Sequence, residues 1–502
     1  MPRFSGWAML ALWFIGVMGT CCVSSTLFAS EGDLAIPDLR QGHFTIVGQQ
    51  VRAWDLLFYG ACVIAGTLGI SLYLRAQIKR LPAHKSMLDI AEIIFQTCKT
   101  YLIQQGKFLL MLFVLIGAAI SYYYLGLEHK RDGVVLSVNE KIGTLLYVLL
   151  FAVVGMVGSY WVAWYGIRVN TYANCRTAFA ALKGEPWDVV NIPLRAGMSI
   201  GLFLISLELI MMVIILLYVD REIVGLCFLG FAIGESLGAS ALRIAGGIFT
   251  KIADIGSDLM KIVFNVKEDD PRNPGVIADC TGDNAGDSVG PTADGFETYG
   301  VTGVALISFI TLAVKDVDIQ AKLIVWIFAM RFLMDFMSGV SYFINQAISE
   351  KKYRGLKEFN FEEPLSRLIW IASILCITTS YGMSWLLLSD LEVGGKALPS
   401  LWWQLASIIS CGTLAAVLIP EFTKVFTSSH SKHVHEIVTA SREGGASLTI
   451  LSGIVAGNFS AFWKGMLIAG LMASAYFVSQ LGLDELMMVN LMPGQPLVGV
   501  GS

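Results

Sequence analysis

The stretch "AGMSIGLFLISLELIMMVIILLY" (196–218) decides the class of fold, because its apolar residues run far enough to cross a lipid bilayer. A membrane-spanning α-helix needs about 20 consecutive, mainly apolar residues. The whole chain shares this character, since 55% of its 502 residues are hydrophobic, 15% are charged and its mean hydropathy is +0.66. A soluble domain carries roughly 25% charged residues. The sequence therefore predicts an integral membrane protein.

Apolar runs of similar length recur along the chain and predict an all-α fold, a polytopic transmembrane helical bundle with about eleven spans. The runs lie at residues 6–29, 53–74, 107–126, 143–166, 196–218, 223–242, 298–314, 322–346, 367–389, 399–419 and 446–481. Residues 1–30 hold one basic residue, a long apolar run and small residues at the end, which suits a cleaved signal or a first span. Residues 31–502 show no low-complexity linker, so we expect a single helical membrane domain there.

The charge distribution predicts how the chain sits in the membrane. The net charge of −4 is small, so no overall field favours nucleic acid as a partner. Basic residues of membrane proteins collect in cytoplasmic loops, and here they cluster at 75–85, 168–195, 351–367 and 424–442. Counting spans places these clusters and the segment 243–297 on one side, whereas "EHKRD" (128–132) lies on the other. We therefore expect a multi-pass protein of the cell (inner) membrane whose acidic segment faces the cytoplasm.

Carboxylates are concentrated in one part of the chain, where 10 of the 39 acidic residues lie between positions 254 and 297. They are Asp254, Asp258, Glu268, Asp269, Asp270, Asp279, Asp283, Asp287, Asp294 and Glu297. Within this set Asp279, Asp283 and Asp287 are four apart, as are Asp254 and Asp258, and residues four apart stack along one face of a helix. Like charges at that spacing repel, so we expect a strongly cationic ligand against them.

The residue types predict the chemistry of that ligand. Hard carboxylate oxygens without histidine among them favour Mg²⁺ or Ca²⁺ over zinc or copper, and Mg²⁺ commonly shares its coordination sphere with phosphate oxygens. Basic residues lie among the acids and could bind further phosphate oxygens. They are Arg243, Lys251, Lys261, Lys267 and Arg272. The mixed-sign segment therefore predicts a site for a magnesium–phosphate ligand, the simpler alternative being a solvated loop with acids at helix starts.

Two strings in this region, "GGIFTKIADIGSDL" (246–259) and "EDDPRNPGVIADCTGDNAGD" (268–287), closely resemble the membrane-bound, ion-translocating inorganic pyrophosphatases. The match extends to "TYANCRTAFAAL" (171–182) and "EIVTASREGGASLTILSGIVAGNFS" (436–460), so it covers most of the chain. The resemblance implies a homodimer in the lipid bilayer with sixteen spans per subunit. It also implies Mg²⁺-dependent hydrolysis of pyrophosphate to two phosphates, coupled to ion transport. We expect H⁺ to be transported, with Na⁺ as the alternative ion and a non-enzymatic divalent-cation channel or carrier as the alternative function.

The same resemblance implies roles for individual residues. The metal ligands would be Asp254, Asp258, Glu268, Asp279, Asp283 and Asp287. The substrate phosphates would lie against Lys251, and Lys261 is a further basic residue that we expect there. Asp287 and Asp283 are the expected catalytic residues, because paired aspartates can hold and deprotonate the attacking water without a covalent intermediate. An ion gate would consist of Arg243, Asp294 and Glu297.

The chain departs from the family pattern in two places. Val263, within "MKIVF" (260–264), stands where a glutamate is usual. Family members continue for several spans beyond the point that matches "PLVGVGS" (496–502), and those spans carry a second aspartate-rich motif. We therefore expect the 502-residue chain alone to be inactive, as a gene fragment, a truncated sequence or one half of a split protein. Potassium dependence is left open for the same reason.

Arg331 and Asp335 form a second charged motif, in the apolar sequence "FAMRFLMDFMSGV" (328–340). They are four residues apart, so they can pair with each other inside the bundle and avoid lipid. We interpret them as a structural pair, the alternative being a place on the ion path.

Overall fold

The computed structural model describes residues 36–502 except for 41, 47, 128–129, 132–133, 136, 268–269, 271–272, 274, 315, 394–395, 482–487, 490–497 and 500–502. Long helices make up most of these residues, and the strands form short antiparallel hairpins. The predicted all-α class is therefore confirmed. The predicted first span or signal segment, residues 1–30, lies outside the described residues.

The helices follow one another with short connections. They are α1 (Ala53–Arg80), α2 (Lys85–Ser121), α3 (Val138–Lys183), α4 (Pro186–Tyr218), α5 (Val224–Phe264), α6 (Gly275–Asp283), α7 (Gly290–Ala313), α8 (Val317–Tyr353), α9 (Glu362–Leu388), α10 (Leu401–Thr427) and α11 (Lys432–Ser479). Wider π-helical turns follow α2 at Tyr122–Gly126 and join α6 to α7 at Asn284–Val289. The hairpins pair β1 (His43–Ile46) with β2 (Gln49–Arg52), β3 (Lys130–Arg131) with β4 (Val134–Val135), β5 (Glu392–Val393) with β6 (Lys396–Ala397), and β7 (Met488–Val489) with β8 (Val498–Gly499).

The predicted spans agree with these helices. Nine stretches of the described residues are long and apolar enough to cross a membrane, and the last of them, Leu401–Ser479, contains both α10 and α11. Each predicted run from 53–74 onward overlaps one of these stretches and extends at most two residues beyond its ends. The run at 6–29 lies outside the described residues. A polytopic helical membrane protein is thus the observed architecture.

Local sequence signals set where the helices start and stop. Ser137 begins α3 with a reciprocal cap, because its hydroxyl accepts from the Glu140 N–H and the Glu140 carboxylate accepts from the Ser137 N–H. Gly184 ends α3 in the left-handed conformation (φ 72°), and Pro186 then occupies the first turn of α4. Such short loops make the helices that they connect antiparallel, whereas α6 continues into α7, so the loops alternate between the two ends of the bundle.

Close packing of α3 along α5 forms the scaffold for the acidic segment. Gly230, Gly234 and Gly238 are spaced four apart on α5, and a Cβ at Gly234 would overlap the Ala152 carbonyl group of α3. From the other side, a Cβ at Gly155 would overlap the Phe231 carbonyl group. Small residues let membrane helices approach this closely and gain dispersion contacts along their backbones. The position of α5 is therefore fixed by the backbone of α3.

Candidate functional site

The last turns of α5 present three different faces. Small side chains such as Ala253 and Ser257 are buried on the face toward α6. A second face, here called the charged face, carries Lys251, Asp254, Asp258 and Lys261 at helical spacing. A third face, here called the bare apolar face, consists of the exposed residues Ile248, Ile252, Ile255, Leu259 and Ile262. The first predicted carboxylate pair thus lies together with both predicted substrate-binding lysines.

Lys251 forms only a weak, exposed ion pair in the structure. Its Nζ lies 3.4 Å from an Asp254 carboxylate oxygen, and 76% of its side chain is exposed. An exposed ion pair of this kind contributes about 0–1 kcal/mol. A multiply charged phosphate can therefore compete for this lysine, as the predicted substrate-binding role requires.

The second acidic segment is fastened to α5 at both ends of α6. At the start of α6, the buried Asn273 accepts from the Gly275 N–H (2.8 Å), and its amide lies 3.4 Å from the Ser257 hydroxyl. At the end of α6, the Thr250 hydroxyl donates to the Gly282 carbonyl group (2.6 Å). These side chains hold α6 against α5, so the Asp254–Asp258 pair and two members of the predicted triplet, Asp279 and Asp283, belong to one packed unit.

Glycines in "TGDNAGD" (281–287) allow the close approach of this segment to α5. A Cβ at Gly286 would overlap the Thr250 hydroxyl, and one at Gly282 would lie 3.0 Å from the Thr250 Cα. Asp279 is half-buried and Asp283 is exposed. The glycines therefore bring the carboxylate-bearing backbone against α5 without burying Asp283.

Asp279 and Asp283 lie four apart on α6, as predicted, whereas the Asp287 side chain lies outside the described residues, so the stacking of all three stays a prediction. The α-helix ends at Asp283, and Asn284–Val289 form a π-helical turn with i→i+5 hydrogen bonds. Two contacts favour this wider turn, since Asn284 donates to the Cys280 carbonyl group (2.7 Å) and accepts from Asn174 of α3 (3.2 Å). Single π turns in α-helices are frequent at functional sites.

The predicted metal site is described only in part. Asp254, Asp258, Asp279 and Asp283 lie on the packed α5–α6 unit, whereas Glu268 and the Asp287 side chain lie outside the description. Across the part of the chain that the structure describes, no three histidine, cysteine or acidic side chains are grouped closely enough to hold a metal ion. The donors are carboxylates, which suit Mg²⁺ chemically. The magnesium site therefore stays a prediction.

We expect Thr250→Val to weaken the attachment of α6 to α5. Valine has nearly the shape of threonine but cannot donate to the Gly282 carbonyl group, and a lost hydrogen bond of this kind costs about 1 kcal/mol. Thermal unfolding of the purified protein in detergent measures the change. Thr439→Val is the control, because the exposed Thr439 hydroxyl bonds only within its own helix, to the His435 carbonyl group. Equal unfolding midpoints for the two variants would contradict the role of Thr250.

The predicted gate residues meet where α5 packs against α7. The Arg243 guanidinium group donates to the Asp294 carboxylate, and the Ser236 hydroxyl donates to Glu297 (2.6 Å). Ser236 lies about two turns before Arg243 on the same helix. The structure therefore brings all three predicted residues to one interface, while their role as an ion gate stays a prediction.

The predicted pairing of Arg331 with Asp335 is wrong. Arg331 donates instead to the Tyr299 carbonyl group (2.7 Å) and to the Thr302 hydroxyl (3.1 Å), whereas Asp335 accepts from Ser206 (3.2 Å). Both residues do lie inside the bundle, with 8% and 1% of their surface exposed. Neighbouring helices offer each of them a partner, so the spacing of four along α8 does not decide the contact.

The sequence analysis did not identify two candidate functional residues, Glu208 on α4 and Glu235 on α5. Both are fully buried. The available signal was their position, since each interrupts an otherwise apolar predicted span, at 196–218 and 223–242 respectively. Ionisable residues within spans are costly and usually functional.

Comparison with known proteins gives consistent matches. The family model described as inorganic H⁺ pyrophosphatase matches residues 65–495. A K(+)-insensitive pyrophosphate-energized proton pump of Chlorobaculum tepidum is 56% identical over 427 residues, which are 85% of this chain and 55% of that protein. Proteins of the same name from Methanosarcina mazei and Pyrobaculum aerophilum are 29% and 30% identical, over 83% of this chain and 56% and 54% of their own lengths. The chain thus spans about half the length of the curated relatives it matches.

Proposed function

Because this chain belongs to the inorganic H⁺ pyrophosphatase family, we propose that it supplies a carboxylate wall of a site that hydrolyses pyrophosphate and drives proton transport across the membrane. The observation that carries the proposal is the packed α5–α6 unit. It joins two aspartate pairs to two lysines of the charged face, and the same helix α5 carries Arg243 of the proposed gate.

Magnesium and pyrophosphate fit the chemistry of this wall. Asp254, Asp258, Asp279 and Asp283 would hold Mg²⁺, together with Glu268 and Asp287 by the family pattern. Bound Mg²⁺ supplies charge neutralisation at the phosphates and orients the leaving group. Lys251 and Lys261 bind phosphate oxygens that the metal does not reach.

Asp283 and Asp287 are the proposed bases. An aspartate beside the attacking water accepts its proton, so that oxygen attacks phosphorus in line and no covalent enzyme intermediate is needed. The proton is then released near the Arg243–Asp294 contact between α5 and α7. A proton set free beside this contact offers a step that couples hydrolysis to transport.

Protons are the proposed transported ion, and Na⁺ is the alternative. The support is the name of the Chlorobaculum tepidum relative, a pyrophosphate-energized proton pump at 56% identity. A non-enzymatic cation carrier accounts less well for the charged face, because a pore needs oxygen ligands and gains nothing from lysines among them. We further propose a homodimer in the cell (inner) membrane, with the site at the cytoplasmic end, where basic residues flank the loops.

Hydrolysis is proposed for the complete protein rather than for these residues alone. The bare apolar face of α5 lies beside the charged face and leaves it open within the described residues. Further residues have room there to approach the carboxylates from the side opposite α6. Hydrolysis is therefore tested with the full-length gene.

Phosphate release by membranes that carry the full-length gene tests the proposal. We expect release from pyrophosphate that requires Mg²⁺, and acidification of inverted vesicles that a protonophore abolishes and that does not need Na⁺. Membranes from the same host with an empty vector are the control. Release that ignores Mg²⁺, or no release from an intact gene, would overturn the proposed hydrolysis. Acidification that requires Na⁺ would overturn the choice of proton over sodium.

A further inference from the structure

Two glutamates lie buried inside the bundle, apart from the aspartates of the proposed metal site. Glu208 of α4 and Glu235 of α5 are both 0% exposed, and their four carboxylate oxygens accept no hydrogen bond from the described residues. An unpaired buried charge costs several kcal/mol. The arrangement therefore needs a ligand or a proton to be stable.

The two carboxyl groups converge on the same point of α7. A Cβ at Gly300 would overlap one oxygen of Glu235 and one oxygen of Glu208, so glycine leaves the space that both carboxyl groups occupy. A carboxylate can only accept a hydrogen bond, whereas a carboxylic acid can donate one. A hydrogen bond between the two carboxyl groups therefore forms when one of them carries a proton. Two ionised carboxylates in such close approach would instead repel each other.

Neighbouring charges favour a single proton in the pair. The Arg331 guanidinium group of α8 lies beside Gly303, one turn after Gly300 on α7, where a Cβ would lie 2.6 Å from its Nη1. Its position is fixed, because it donates to the Tyr299 carbonyl group and to Thr302. The positive charge of Arg331 balances one ionised carboxylate. The group of three side chains is therefore neutral overall when the second carboxyl group holds a proton.

Within the part of the chain that the structure describes, the remaining elements around the pair add two acidic groups and no cation besides Arg331. On α7, Glu297 lies near enough to Glu235 for their charges to interact. On α8, Asp335 faces the same interior and is bonded by Ser206. On α3, the contact comes from Ser159, whose hydroxyl donates to the Glu235 carbonyl group (3.2 Å).

The Glu208–Glu235 pair lies next to the gate residues along α5 and α7. Ser236, which holds Glu297, is the next residue after Glu235, and Gly300 is one turn beyond Glu297 on α7. Glu235 lies about 16 Å along α5 from Val224, the first residue of the helix. The hydrocarbon core is about 30 Å thick, so the pair would lie near the middle of the membrane with Val224 at the membrane surface.

We propose that Glu208 and Glu235 form a shared-proton site on the path of the transported proton. This inference rests on the proposed function. A proton that arrives from the Glu297 side joins the pair, and the proton already held leaves toward the opposite end of the bundle. The pair thereby keeps one proton and one negative charge throughout. A metal cation is disfavoured here, because it needs further oxygen ligands and is repelled by Arg331.

Glu235→Gln and Glu208→Gln test the site in the full-length protein. Glutamine keeps the shape and can still bond the remaining carboxyl group, but it cannot give up a proton. We expect proton uptake per phosphate released, measured in inverted vesicles, to fall on the order of 10²-fold in each variant. The infrared C=O band of a protonated carboxylic acid should disappear in both. Glu222→Gln is the matched control, since Glu222 lies exposed in the loop between α4 and α5, and it should change neither quantity.

Distinct outcomes separate this inference from the proposed function. Normal uptake and an unchanged infrared band in both variants would overturn the shared-proton site. Na⁺-dependent vesicle uptake that the variants abolish would also overturn it, in favour of a sodium site. If the unchanged protein releases no phosphate, the proposed function fails, and the infrared comparison still decides whether the pair holds a proton.

Discussion

Asp283→Asn is expected to reduce Mg²⁺-dependent pyrophosphate hydrolysis by roughly 10³-fold while the protein stays in the membrane. Asp283 ends α6 with an exposed side chain and lies directly before the π-helical turn. Loss of several kcal/mol of charge stabilisation at a metal corresponds to about this factor. Asparagine keeps the shape of the side chain, so the fold should persist. Phosphate release by membranes with the full-length protein, normalised to protein content, measures the effect.

The matched control is Asp220→Asn. Asp220 is also exposed, but it lies at the opposite end of the bundle, after α4, where it accepts from the Glu222 N–H. Asparagine can make the same contact, so hydrolysis should be unchanged. Full activity of Asp283→Asn would remove that residue from the proposed metal site. Equal losses in both variants would point to a general effect of charge on the protein.

Gly234→Val is expected to separate α3 from α5 and to destabilise the whole acidic segment. Any side chain at this position overlaps the Ala152 carbonyl group, which belongs to the backbone and cannot rotate away. Overpacking costs about 1–3 kcal/mol, and more where backbone has to move. Because α5 carries Arg243 of the gate and both carboxylates of the charged face, hydrolysis should be lost together with stability. Thermal unfolding in detergent measures the destabilisation.

Gly201→Val controls for valine itself in a membrane helix. Gly201 lies on α4 with no atom within 4 Å of its would-be Cβ, so valine has space there. We expect its unfolding midpoint to stay within the scatter of the unchanged protein. If Gly234→Val were as stable as Gly201→Val, the α3–α5 backbone contact would not be what fixes α5.

The place of most described helices could be predicted because long apolar runs mark membrane spans. The run at 223–242 predicts only the first half of α5, whereas the helix continues to Phe264. Its second half alternates charged and apolar residues, and hydropathy cannot distinguish such an amphipathic helix from a polar loop. The spacing of Asp254 and Asp258 carried the missing information, since four-residue spacing is helical.

Contacts between distant residues could not be predicted in the same way. The spacing of Asp279, Asp283 and Asp287 suits an α-helix, yet Asn284 meets Asn174 of α3 and a π turn forms. Arg331 likewise bonds to α7 and not to a residue on its own helix. Sequence spacing describes one helix at a time, and these choices are made between helices.

The approach of Glu208 to Glu235 is a further contact between helices. The residues are close in sequence, but nothing in their spacing sets the distance between α4 and α5. Gly300 of α7 completes the contact, and its role emerges only when three helices are packed.

Because α5 is helical without a break from Val224 to Phe264, it behaves as a stiff rod. Glu235 and Asp254 are fastened to this rod about 28 Å apart. Any axial slide that a ligand imposes at Asp254 is passed to Glu235 with little loss. Such rigid coupling would link ligand binding at Asp254 directly to proton transfer at Glu235.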